Sequence, residues 1–282
     1  GVIIKYLGEV YPMMQMTLFR NIFAIIPLMI LFYFSDNLKD IFKNINQRFI
    51  LLSFFRGISF LAMQCFYFVA IIKMNFATAT TLSFCSPVFI VLLSIIILGD
   101  KIGIYRWAAV FIGFSGVLLI MKPTSEVFTI YSIFPLVAAL AWAVANVLLK
   151  LFPENVSAAK INLYTLIFSI LGSLLIFLIS TEYESIINLT HWMLLIITGI
   201  LGGCASIFFI FAYRLVFPSI LAPFEYFGIP SSFILGWIFF AEAPIDQLFP
   251  GVLGIIFAGL IIIWRERKQN AVDEKFKKLN HP

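Results

Sequence analysis

The sequence predicts an all-α membrane protein: a bundle of ten helices, the first truncated here, built from two inverted five-helix repeats. Three observations carry that expectation. Of 282 residues, 62% are hydrophobic and only 12% charged, about half the charged share of an average soluble domain, which excludes a water-soluble globule. Nine apolar stretches, together about two-thirds of the chain, reach the roughly 20 residues that a helix needs to cross a bilayer. Finally, the chain shifted by 142 positions without a gap falls on itself, Gly57 on Gly199, Phe66 on Phe208, Ala70 on Ala212 and Leu93 on Leu235.

Apolar runs between polar or proline breaks predict helices at 14–35, 49–72, 77–98, 104–121, 130–151, 160–180, 192–213, 219–241 and 248–264. Such runs are too long for the roughly ten-residue alternating strands of a membrane β-barrel, so an outer-membrane pore is excluded. The opening GVIIKYLGEVYP reads as the last turns of a tenth helix whose beginning is absent, with its stub at 1–8. Connections are short, and no soluble domain interrupts the bundle. The chain divides into a first repeat at 1–122, a second at 129–264 and a basic cytoplasmic tail at 265–282.

The net charge of +5 traces to the tail, which holds six Lys or Arg between Arg265 and Lys278. Positively charged loops stay on the cytoplasmic side. With the tail inside, 14 basic residues fall on that side and only Lys5, Lys73 and Lys122 on the other, while Arg20 and Arg56 lie within helices. The basicity therefore reports topology rather than a nucleic-acid partner. It places the intact protein's termini in the cytoplasm and the chain in the inner (plasma) membrane. Cys65, Cys85 and Cys204 all sit in apolar runs without CxxC spacing, so neither disulfides nor a metal site is expected, and no cofactor is implied.

With indels, the opening VIIKYL also matches VLLKLF at 147–152, and Asp100 matches Glu242 without one. Five helices per half is an odd number, so the second half enters the membrane in the opposite sense. That arrangement typifies secondary transporters, in which one bundle rocks against the other around a midplane site.

Three stretches resemble a known family. ATATTLSFCSPVFIVLLSIIILGDKI (77–102) has small residues, the mid-helix Pro87 and an acidic residue after Gly99; LAPFEYFGIPSSFILGWIFFAEAP (221–244) is its second-half counterpart; KYLGEVYPMMQMTLFRNIFAIIP spans a helix junction near the start. In these features the chain is similar to EamA-type members of the drug/metabolite transporter superfamily. The resemblance implies two inverted five-helix repeats, with the first to fourth and sixth to ninth helices around a central cavity and the fifth and tenth outside it. It also implies alternating access for a small organic solute such as an amino acid, nucleoside, vitamin or S-adenosylmethionine.

Glu225 is the only carboxylate well inside an apolar run, between Pro223 and Pro230. It is a candidate site for a proton, a sodium ion or a substrate ammonium; the alternative is a carboxylate stabilised by a nearby helix N-terminus. Arg20 and Arg56 are candidates for holding a substrate carboxylate or phosphate, or else snorkel to headgroups. Their repeat counterparts are Thr165 and Thr198, so the halves differ in charge. Gln64, Tyr67, Thr80, Ser83 and Ser86 in the first half, with Trp142, Asn146, Tyr164, Ser206 and Tyr226 in the second, are polar or amphipathic groups in apolar helices. They are candidates for lining a hydrated cavity, or bond their own backbones and neighbouring helices. Trp142 and Asn146 share a helix face one turn apart.

Pro87, Pro223 and Pro230 are candidate hinges, or fit the curvature of the bundle. Small residues four apart, Ala109 with Gly113, Gly199 with Gly203 and Gly254 with Ala258, permit close helix contact within a monomer or across a homodimer. The function read from all this is secondary transport of a small metabolite across the lipid bilayer, coupled to a proton or sodium gradient. Two rivals remain. A membrane-embedded prenyltransferase or hydrolase needs convergent catalytic groups, whereas the two histidines, His191 and His281, fall at a helix edge and in the tail. A passive channel or scaffold leaves the inverted repeat unexplained.

Overall fold

Two asparagines start the two longest helices. Asn46 and Asn188 are extended, and their side-chain oxygens accept first-turn backbone N–H groups, from Phe49 at 2.7 Å and from Thr190 at 2.9 Å, satisfying donors that a helix end leaves orphaned. The structure, a computed structural model, describes residues 1–34, 41–43, 45–74, 76–100, 103–121, 130–180 and 182–241, with the single positions Leu253, Phe257, Leu260 and Trp264. The predicted 248–264 helix apart from those positions, the basic tail, Glu242 and the Gly254–Ala258 pair lie outside the described residues.

Within them the chain runs α1 (Val2–Leu7), α2 (Met13–Phe23), α3 (Ile25–Phe34), α4 (Gln47–Lys73), α5 (Phe76–Ser83), α6 (Ser86–Leu98), α7 (Ile104–Met121), α8 (Ile133–Val147), α9 (Ala158–Ser180), α10 (Leu189–Leu215), α11 (Pro218–Leu221) and α12 (Gly228–Phe240). Short 3-10 turns at Ile130–Ser132 and Leu148–Leu151 extend α8 at both ends. No strand occurs among the described residues, and Met13–Phe34, Gln47–Lys73, Ile130–Leu151, Ala158–Ser180 and Leu189–Leu215 are each long and apolar enough to cross a membrane. The outward surface agrees, with Ile96 76%, Phe208 74% and Leu178 66% exposed, a degree of apolar exposure suited to lipid rather than water. The protein is an all-α membrane protein.

The 14–35 run is parted at Ala24 into α2 and α3, and two further expected helices are interrupted. The 77–98 run is α5 and α6 separated by a turn at Phe84–Cys85, with Pro87 in the first turn of α6, where the missing N–H costs nothing. The 219–241 run is α11, a 3-10 segment at Ala222–Phe227 and α12. Both runs end in the same way. Gly99 closes α6 at φ +65°, and Ala241 closes α12 at φ +53°, each in the left-handed conformation that frees the last carbonyls for a reversed bond.

These bounds follow the sequence offset. α4 and α10 are both 27 residues long, and α6 and α12 both 13. Gln47 to Leu189, Lys73 to Leu215, Ser86 to Gly228 and Gly99 to Ala241 are each separated by 142 positions. Packing follows it too. α4 lies against α8 and α9, α10 against α2 and α3, α5 against α12, and α6 against the 3-10 segment.

A Cβ on Gly57 would sit 2.6 Å from Phe168 Cβ and 3.0 Å from the Thr165 carbonyl oxygen. On Gly199 it would sit 2.4 Å from Phe23 Cβ and 2.8 Å from the Arg20 carbonyl oxygen. Only glycine permits these approaches of α4 to α9 and of α10 to α2. The other small-residue positions also pack within the chain: Gly203 meets Ala24 and Pro27, and Gly113 meets the Tyr226 ring.

Polar groups tie the bundle across these seams. Asn21 Nδ2 donates to Ser169 Oγ at 3.0 Å, joining α2 to α9. Arg214, at the end of α10, donates to the carbonyls of Leu149, Phe152, Pro153, Glu154 and Val156, closing the α8–α9 connection. Buried apolar side chains form one cluster around Phe49, Val147, Phe152 and Tyr213 and another around Leu7, Met16, Ile71 and Leu195. Between them along the helices lie the positions that line the cavity.

Candidate functional site

Glu225 lies in the 3-10 segment Ala222–Phe227 that separates α11 from α12. In a 3-10 segment side chains three apart eclipse; Phe224 and Phe227 accordingly stack at 6.4 Å and 19°, while Glu225 and Gly228 both line a cavity of about 580 Å³. Glu225 Oε1 accepts the Tyr213 hydroxyl at 2.6 Å and the Trp142 indole N–H at 2.8 Å. Its Oε2 accepts the Ser86 hydroxyl at 2.8 Å. One carboxylate thus joins the broken 219–241 run to α6, α8 and α10, and every donor is neutral. An isolated carboxylate in an apolar bundle is costly, and three hydrogen bonds to the ionised form offset much of that cost.

The remaining wall is aromatic and small. Trp142 meets Phe209 edge-on at 5.1 Å and 89°, and Phe209 stacks on Tyr213 at 6.4 Å and 27°. Tyr67 and Thr80 lie 3.2 Å apart, hydroxyl to hydroxyl, and Thr80 donates to the Phe76 carbonyl at 2.7 Å. Ser83 bonds the Ala79 carbonyl at 3.0 Å, and Ser206 bonds Asn162 Oδ1 at 2.9 Å. Arg20 lines the cavity beside Gly202, its Nη1 donating to Asn21 Oδ1 at 3.1 Å and its guanidinium carbon 5.9 Å from the centre of the Phe60 ring.

Of the residues singled out in the sequence, the structure brings Glu225, Arg20, Trp142, Tyr67, Thr80, Ser83, Ser86 and Ser206 to this one cavity. It does not bring five others there. Arg56 is 2% exposed, with Nη1 donating to Thr165 Oγ1 at 2.5 Å and Nε to the Ala145 carbonyl at 3.1 Å; it ties α4 to α8 and α9. Asn146 is buried and bonds the Trp142 carbonyl at 3.0 Å. Tyr226 packs beneath Gly113, and Tyr164 lies edge-on to Phe49. The three prolines Pro87, Pro223 and Pro230 fall in the first turns of α6, the 3-10 segment and α12 respectively.

Gln64 is the fifth. It is 1% exposed, and neither amide atom has a hydrogen-bond partner among the described residues. A buried unsatisfied polar group costs about 1–3 kcal/mol. Gln64→Met, of similar volume, is therefore expected to raise the melting temperature of the purified protein by roughly 2–6 °C. A lower melting temperature instead would show that the amide makes a stabilising hydrogen bond.

Sequence reasoning missed Tyr213, Glu225's shortest partner, and the apolar wall of Phe60, Met63, Phe84, Phe209 and Phe224. A signal for Tyr213 was present. Ser206, Phe209 and Tyr213 are spaced i, i+3, i+7, one stripe of a helix.

The EamA-like transporter family profile matches residues 1–122 and 129–265. The chain belongs to that family. A riboflavin transporter of Brucella anthropi is 33% identical over 185 residues, 64% of this chain and 65% of the relative. The chain spans 61–65% of the length of the riboflavin transporters it matches. An S-adenosylmethionine uptake transporter of Rickettsia prowazekii is 28% identical over 266 residues, 94% of this chain and 87% of the relative. One solved crystal structure superposes with a TM-score of 0.72 at 18% identity, over 93% of this chain and 90% of that one, which shows that the fold is shared.

Proposed function

We propose that this EamA-family protein is a secondary carrier that moves a small organic metabolite across a cell's inner membrane by alternating access, its C-terminal tail in the cytoplasm. The observation that carries the reading is the cavity of about 580 Å³, walled by α2, α4, α5, α6, α8, α10 and the broken 219–241 run, with Arg20 and Glu225 both facing it. Its size suits a ligand of drug or vitamin dimensions. The relatives named for riboflavin and S-adenosylmethionine transport support the same class of solute.

The halves at 1–122 and 129–264 act as inverted repeats in this reading. Support comes from the paired contacts, Gly57 on Phe168 and Thr165 against Gly199 on Phe23 and Arg20, which exchange partners between halves. It comes also from the matched interruptions at Phe84–Cys85 and Ala222–Phe227. Two bundles that meet at broken helices can rock about a shared site. Glu225 is the group at which a proton gradient couples to the cycle.

Uptake into proteoliposomes tests the reading. Radiolabelled S-adenosylmethionine or riboflavin is expected to enter saturably, to be competed by excess unlabelled solute and to enter faster when the same solute is preloaded inside. Flux that rises linearly with concentration and ignores preloading would mark an open pore and sink the carrier.

A further inference from the structure

The charges of the cavity make a further distinction. Arg20 and Glu225 face the same space, and among the described residues neither forms an ion pair. A guanidinium has five N–H donors and a carboxylate about four acceptor sites. Asn21 takes one of the Arg20 donors. Tyr213 and Trp142 fill Oε1 and Ser86 takes one site on Oε2, so one acceptor site on Oε2 remains. Each pole therefore keeps unused capacity of its own sign.

We propose, resting on the carrier reading above, that this cavity is a two-pole site for amphoteric solutes, holding the solute's carboxylate at the Arg20 guanidinium and its cationic group at Glu225 Oε2.

A solute carrying both charges neutralises both poles as it displaces cavity water. A neutral solute of the same size leaves both charged groups desolvated and unpaired, which opposes binding. Arg20 offers the planar fork that matches a carboxylate. Glu225, already holding three neutral donors, has room for one cationic contact rather than a second fork. Tyr67, Trp142 and Phe209 are among the residues that line the same cavity, and such an aromatic lining favours a flat or cationic body. Gly202 leaves room for the positive pole: a Cβ there would lie 2.5 Å from Arg20 Nη2, so the guanidinium lies close against α10.

Competition binding to the full chain in detergent tests this with three related probes. S-adenosylmethionine carries a carboxylate and cationic groups, its decarboxylated form keeps only the cations, and 5′-methylthioadenosine has neither. In the wild-type protein S-adenosylmethionine is expected to bind about tenfold tighter or more than the decarboxylated form, and that form about tenfold tighter or more than methylthioadenosine, the first step removing the carboxylate and the second the ammonium and sulfonium cations. Arg20→Gln removes the first step and keeps the second. Glu225→Gln keeps the first and removes the second.

Gly202→Ala, which displaces the guanidinium without deleting it, lowers the first step alone and covers the case of an Arg20 variant that does not fold. Equal binding of the three probes, or variants that weaken all three by one factor, overturns the two-pole site. Saturable riboflavin uptake that the S-adenosylmethionine series does not compete overturns it while leaving the carrier reading standing. Absence of saturable uptake of every probe overturns both.

Discussion

Replacing Glu225 by glutamine is expected to cut the rate of solute uptake by tenfold or more while the protein still folds. Glutamine keeps the shape and an amide oxygen for the Tyr213 and Trp142 donors, which reach Oε1 at 2.6 and 2.8 Å, and the Ser86 hydroxyl can turn to accept from the new amide N–H. What disappears is the charge. Leucine at the same position deletes the acceptor for three donors, at about 1–3 kcal/mol for each left unsatisfied in the bundle, and its melting temperature should fall by roughly 5 °C or more. Paired measurements of uptake and thermal stability separate the two substitutions. If uptake driven by a proton gradient keeps its pH dependence in the glutamine variant, coupling does not run through this carboxylate.

Gly199→Val is expected to be the most destabilising single substitution at a helix seam. The first added carbon already falls 2.4 Å from Phe23 Cβ and 2.8 Å from the Arg20 carbonyl oxygen, and a backbone atom cannot swing away as a side-chain tip can. Overpacking of this kind costs about 1–3 kcal/mol when side chains can adjust; here α10 and α2 must separate, so a loss at or above the upper end is expected. Gly57→Val strains the counterpart contact with Phe168 and Thr165 and should behave alike. Gly99→Ala is the control. Its added carbon meets nothing within 4 Å, leaving only the strain of φ +65°, about 1 kcal/mol. Thermal unfolding followed by size-exclusion chromatography reads all three, and a Gly199→Val protein that melts with the wild type would contradict the close approach of α10 and α2.

Helix bounds were legible to within about three residues, as at 49–72 against Gln47–Lys73 and 192–213 against Leu189–Leu215. Both begin beside an asparagine cap and end near a basic residue, signals that survive in a membrane because helix ends meet water and headgroups. The interruptions were less legible. Prolines pointed to bends, and Pro223 and Pro230 do flank Glu225, in the first turns of the 3-10 segment and of α12, but they did not announce the 3-10 form of that segment. A proline marks where a donor is missing without saying how the neighbouring turns adjust.

Arg20 and Arg56 looked alike in the sequence, each a cation about two turns inside an apolar run. One faces the cavity, and the other is held by Thr165 and the Ala145 carbonyl. The stripe of Ser206, Phe209 and Tyr213 was present but hard to single out for the same cause. A soluble helix shows its buried face by contrast with a polar one, but a membrane helix is apolar towards lipid and towards its neighbours, so the contrast that would orient it is missing.

By itself the sequence determined that this chain crosses a membrane as helices, where the described apolar runs begin and end, and that segments 142 positions apart share a pattern, because span length, caps and sequence offset are local or linear properties. Only the tertiary structure decided which polar side chains meet. Glu225 gathers Ser86, Trp142 and Tyr213 from three other helices, and Arg20 rather than Arg56 lines the cavity. Those choices depend on the rotation of each helix about its own axis, which is set by close packing at positions such as Gly57 and Gly199 and is written in no single helix.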